Sequence, residues 1–203
     1  MFSEAVTLAT LAAAGFSDYK TREVDDKVWI AGGLAVTPFI LFEIGSGLIQ
    51  LPLYLLSLAT AFLVIVISWR LRLVGEADLI ALGFIAYAEP PSLRSPLTVT
   101  PLASIVVLAG LASAAYILYN VFYNIKAGLS FPESTPLYMK ITLLVTARLV
   151  TPEEYKSKSY MFAPTNDSPQ TQQDKVWATV YLPYTTLLAF GYFTYLLIKN
   201  ILL

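Results

Sequence analysis

Residues 48–69 and 99–123 carry no charged side chain. Each run reaches the roughly 20 apolar residues that a helix needs to cross a bilayer. Inside a lipid core every backbone N–H and C=O must be satisfied within its own segment, so such runs fold as helices. Only 13% of the 203 residues are charged and 57% are apolar, whereas a soluble domain is about a quarter charged. A polytopic membrane protein is therefore expected.

Six apolar segments are expected, at Phe2–Phe16 (extendable to Asp18), Val28–Phe42, Leu48–Trp69, Leu79–Ala88, Val99–Tyr123 and Val176–Leu202. The first lacks a basic leader region and a small-residue cleavage site, so it reads as a resident helix. The fourth is too short to span alone, and Glu89-Pro90-Pro91 stops it. Cytoplasmic loops collect Lys and Arg. With the N-terminus outside and six crossings, the inner loops hold Lys20, Arg22, Lys27, Arg70, Arg72, Lys126, Lys140, Arg148, Lys156, Lys158 and Lys175, eleven of the 13. The outer side then holds only Arg94 and Lys199. A re-entrant fourth segment would make the division seven to six, so charge favours six crossings with the fourth helix short and sheltered.

The loop from Asn124 to Lys175 is expected to be cytoplasmic. Leu137–Val150 is rich in β-branched residues, which predicts at least one strand. Thr151-Pro152-Glu153-Glu154 has the cap, proline and acidic spacing of a short helix start. Ser159–Pro164 reads as a second strand, and residues 165–174 as a polar linker. The expected fold is an all-α membrane protein of six transmembrane helices with a small mixed α/β cytoplasmic insert. Its parts are 1–123 for the first five helices, 124–175 for the insert and 176–203 for the sixth helix.

The chain has no histidine and no cysteine. Triads with a histidine base, thiol nucleophiles and the usual zinc sites are excluded. Acid–base work falls to Asp, Glu, Lys or Tyr. The net charge of −1 gives no attraction to nucleic acid. Under the six-crossing arrangement Asp18 closes segment one and Asp78 opens segment four, on the same membrane face. Two carboxylates sharing a low-dielectric site hold one proton between them. The ionised one can take a proton from water while the neutral one hydrogen-bonds a carbonyl, which is aspartic-protease chemistry. That step calls for no metal and no cofactor.

The surroundings of both residues carry a resemblance. "SDYKTREVDDKVWIAGG" (17–33) resembles the first active-site segment of archaeal prepilin and preflagellin peptidases, through Asp18, Lys20, Arg22, Val24 and Trp29. "GEAD" (75–78) resembles the second motif of the GxGD membrane aspartyl proteases, the type IV prepilin peptidases among them. Gly75 and Asp78 match, Glu76 fills the open position, and Ala77 replaces the family's second glycine. The resemblance extends to the six-helix layout and the insert. It implies catalytic Asp18 and Asp78, and removal of a short basic leader from pilin-like or archaellin precursors at the cytoplasmic face of the cell membrane. Glu23, Asp25, Asp26 and Glu76 could attract such a leader.

Each residue also has a structural explanation. Asp18 can be a solvated loop charge, Asp78 a helix cap, and Asp25 or Asp26 the cap of segment two. The basic residues follow from topology alone. A small proton-coupled transporter is the alternative function, since acids within membranes often relay protons; it predicts acids deep in spans and paired repeats of broken helices. A non-catalytic assembly factor is a third, and would tolerate loss of both aspartates.

Overall fold

The structure, a computed structural model, describes residues 2–72, 74–93, 96–127, 131, 135–164 and 175–202. Its elements in chain order are α1 (Phe2–Thr21), α2 (Asp26–Gly45), α3 (Leu51–Arg70), α4 (Glu76–Ala88), α5 (Pro96–Val99), α6 (Pro101–Lys126), α7 (Leu137–Thr146), β1 (Ala147–Val150), α8 (Pro152–Ser157), β2 (Phe162–Pro164), β3 (Val176–Val180) and α9 (Tyr184–Leu202). The chain forms two compact units, Met1–Ala112 with Pro183–Leu203, and Ser113–Leu182.

Among the described residues three helices, α2, α3 and α6, are long and apolar enough to cross a membrane. In the first unit α3 turns its large side chains outward: Leu55, Leu56, Phe62, Leu63 and Ile67 are exposed, and only Tyr54 and Ala61 are buried. Lipid is as apolar as leucine, so such a face has no need of protein cover. The opposite holds for α4. Its 13 residues reach only about 20 Å, and Leu79, Ala81, Leu82, Phe84, Ile85, Ala86 and Ala88 are all buried. Tyr54 of α3 donates its hydroxyl to the Tyr87 carbonyl, and the Tyr87 hydroxyl meets Thr37 of α2 at 2.7 Å. The short helix is thus held among longer ones.

The sixth segment, expected as one helix over Val176–Leu202, is corrected. Val176–Val180 is a strand, and the helix starts only at Tyr184. Pro183 is the physical reason. The residue before a proline is steered away from the helical region, so a helix cannot run through Leu182 and begins behind the proline instead. The first segment differs the other way: α1 continues to Thr21, so Asp18 lies inside its last turn rather than in a loop.

In the second unit β3 is the middle strand of a three-stranded antiparallel sheet, order β1-β3-β2. Leu149 pairs with Trp177 and Phe162 with Val180. The expected strand in 137–150 is confined to Ala147–Val150; the preceding ten residues are helical. Met139 and Leu143, one helical turn apart, pack in the cluster that holds Trp177, and this packing overrides the β-branched composition. The carbonyls of Leu144, Val145 and Ala147, at the orphaned end of α7, accept from the side-chain amides of Asn120 and Asn124 on α6. Thr151 caps α8 as the sequence indicates, accepting from the Glu154 N–H at 3.2 Å. Phe162–Pro164 is the expected second strand; the expected linker 165–174, and Arg94, lie outside the described residues.

Candidate functional site

Three helices of the first unit end at one place. α1 brings Asp18 in its last turn, α4 brings Asp78 in its first turn, and α9 brings Thr185 and Thr186 in its first turn. The Thr185 hydroxyl donates to Asp78 Oδ1 at 3.0 Å. The Thr186 backbone N–H donates to Asp18 Oδ2 at 3.1 Å. Adjacent residues therefore hold the two carboxylates, although these are 60 positions apart in sequence.

The contact to Asp18 follows from where α9 begins. The opening N–H groups of a helix have no partner within it, and the helix dipole places positive charge there. Asp18 supplies the missing acceptor from another helix. Had α9 begun at Val176, the Thr186 N–H would be spent on a carbonyl four residues back. The Thr186 hydroxyl lies 2.7 Å from the Gly15 carbonyl oxygen and 3.3 Å from Asp18 Oδ2; its one hydrogen serves the shorter contact first. Gly15 permits the approach. A Cβ there would sit 3.1 Å from Thr186 Cα and 3.3 Å from Ala189 Cβ, closer than ordinary packing.

Asp18 is buried and Asp78 half-buried. Asp18 is 9% exposed and Thr185 fully buried. Asp18 and the neutral phenol of Tyr184, at the head of α9, both lie within electrostatic range of the Asp78 carboxylate. Asp78 is not a helix cap. Gly75 holds that position, with no side-chain cap bond. A Cβ on Gly75 would lie 3.3 Å from Asp78 Oδ2, so the motif glycine leaves the carboxylate room. Ala77 is half-buried in the same turn.

The remaining expected residues scatter. Lys20 lies over the Phe16 ring, 4.4 Å from its centroid. Arg22 follows α1 in the left-handed region, φ 60°, with its guanidinium nitrogens buried and without a hydrogen-bond partner among the described residues. Glu23 is exposed, and its carbonyl accepts from Ser17 and Thr21. Asp25 is the cap of α2, accepting from the Lys27 N–H at 2.9 Å. Asp26 is exposed in the next position. Glu76 lines a cavity of about 480 Å³ with Trp69, Arg70, Arg72, Val74 and Gly75.

Sequence reasoning missed Thr185, Thr186 and Gly15. The available signals were the proline that sets the start of α9, and a glycine one turn before Asp18. Among the described residues no group of three or more acidic side chains is arranged to hold a metal ion. The model of the type IV leader peptidase family matches residues 5–131, more than half of the chain, including Asp18 and Asp78. No curated protein matches it.

Proposed function

The chain belongs to the type IV leader peptidase family, and we propose that it is an aspartic endopeptidase in which Asp18 and Asp78 share one proton. Membership by itself makes it a leader peptidase of pilin-like precursors and, with its apolar helices, a multi-pass membrane protein. The observation that carries the aspartic reading is that Thr185 and Thr186, side by side, each bond one of the two carboxylates.

The chemistry follows from the pair. The ionised carboxylate takes a proton from water as the water oxygen bonds to the scissile carbonyl carbon. The protonated partner donates to the carbonyl oxygen, giving a neutral gem-diol. On collapse the former base gives its proton to the amide nitrogen, the C–N bond breaks, and a gem-diol hydroxyl returns its proton to the other carboxylate, so the pair again holds a single proton. The roles of base and acid belong to the pair as a unit. No step uses a cofactor.

Six helices cross the cell membrane, α4 being a half-length one, with the aspartates at the cytoplasmic boundary where basic loops gather. The substrate is a pilin-like or archaellin precursor with a short basic leader, cut just before its hydrophobic stretch. Glu23, Asp26 and Glu76, all exposed, supply negative charge for that leader; Asp25 contributes chiefly as a cap. The test is co-expression with a leader-bearing precursor: wild type should shorten it, and Asp18→Asn or Asp78→Asn should leave it full length. Cleavage by either variant would end this reading.

A further inference from the structure

The three helices that carry the site are joined again at their opposite ends by a second polar cluster that the reaction does not use. Glu89, the residue after α4, is 3% exposed. Its carboxylate accepts from the hydroxyls of Tyr192 at 2.9 Å and Tyr195 at 3.1 Å, both on α9. Lys199, further along α9, bonds Glu89 Oε1 and pairs with Glu4 of α1 at 2.7 Å. The rings of Tyr192 and Tyr195 stack at 6.1 Å. From Thr185 to Lys199 α9 rises about 21 Å, so one helix touches α1 and α4 at both of its ends.

A buried ion pair is weak evidence for stability, because desolvation offsets the attraction. Its directional bonds do fix geometry. Between the two polar ends α4 packs through side chains such as Ala81, Leu82 and Ile85, and such contacts resist sliding or rotation less than hydrogen bonds do. Among the described residues, the Thr185 hydroxyl gives the one hydrogen bond that joins Asp78 to α9 at the site. Resting on the aspartic reading above, we infer that Glu89 is a positioning residue. Its bonds to Tyr192, Tyr195 and Lys199 set the height and rotation of α4 against α9, and thereby keep Asp78 beside Asp18.

Two variants test this. Glu89→Ala removes the acceptor; Tyr192→Phe with Tyr195→Phe removes only the hydroxyls and preserves shape if the first variant does not accumulate. Both should lower kcat, the first by about tenfold or more, with KM nearly unchanged, because a misplaced group costs rate without removing substrate contacts. Glu89→Gln, which still offers an oxygen, should recover most of the rate. Infrared titration of the carboxyl band that Asp78→Asn removes should show a displaced midpoint in both disrupting variants. Unchanged kcat and an unmoved band, even with a lower melting temperature, would reduce Glu89 to a stability role and overturn the inference. The infrared readout needs no substrate. A wild type that cleaves no precursor but shows the displaced band in its Glu89 variants would therefore refute the peptidase reading and not this one.

Discussion

Asp18 stands in for a cap on a helix that begins 166 residues later: the Thr186 N–H, free because α9 starts at Tyr184, donates to its Oδ2 at 3.1 Å. The Thr185 hydroxyl next door takes Asp78. The head of the last helix is thus the fixture on which the carboxylates from α1 and α4 are mounted.

Asp18→Asn and Asp78→Asn keep the shape of each side chain and remove the shared proton. Each should lower the cleavage rate by at least about 100-fold, the lower range for general acid–base catalysis, with unchanged protein in the membrane. Immunoblots of precursor and of enzyme read both. The double variant should be no worse than the singles, because members of one unit do not add.

Thr185→Val removes the hydroxyl bonded to Asp78 and nearly conserves volume. A hydrogen bond to a charged group contributes about 1.5–3 kcal/mol, so a rate loss of about tenfold or more is expected, with Thr185→Ser close to wild type. Thr186→Val should be milder, since the backbone N–H still reaches Asp18. Equal rates for Thr185→Val and wild type would show that this bond does not matter to the chemistry.

Gly15 and Gly33 form a matched pair. A Cβ at Gly15 meets the backbone of α9 at 3.1 Å, whereas one at Gly33 meets nothing within 4 Å among the described residues. Gly15→Val should lower both the melting temperature in detergent and the cleavage rate, and Gly15→Ala should do so less. Gly33→Ala should be neutral or slightly stabilising, as alanine is the better helix former by about 1 kcal/mol. A Gly15→Val protein with wild-type melting and rate would contradict the close approach.

Asp25 separates capping from catalysis. Asparagine caps as well as aspartate, so Asp25→Asn should cleave at nearly the wild-type rate. Asp25→Ala should cost about 1 kcal/mol of stability, seen as a lower melting temperature. If Asp25→Asn is as inactive as Asp18→Asn, the pair has been wrongly assigned.

A carboxylate pair that activates water by itself has no use for a divalent cation, so EDTA should leave the rate unchanged. Loss of activity in EDTA that Mg²⁺ restores would instead make the carboxylates metal ligands.

The sequence by itself determined the membrane class, because charge-free runs of spanning length have one physical solution. It also determined where α4 stops, at a proline pair, and the cap of α8 at Thr151, since these depend on neighbours along the chain. The absence of histidine and cysteine narrowed the candidate acid–base groups to Asp, Glu, Lys and Tyr, and motif resemblance singled out Asp18 and Asp78. Tertiary structure decided what those residues touch. Pro183 and the spacing of Gly15 from Asp18 are the local hints of Thr185, Thr186 and Gly15, but the importance of these residues and of Glu89 lies in contacts across 103 or more positions. The start of α9 was misread for a related reason. Val176–Val180 is apolar enough to extend a helix, and it becomes a strand because β1 and β2 flank it on both edges. Hydrogen bonds between distant segments exist only once the chain has packed, and they set both the end of that strand and the mounting of the two carboxylates.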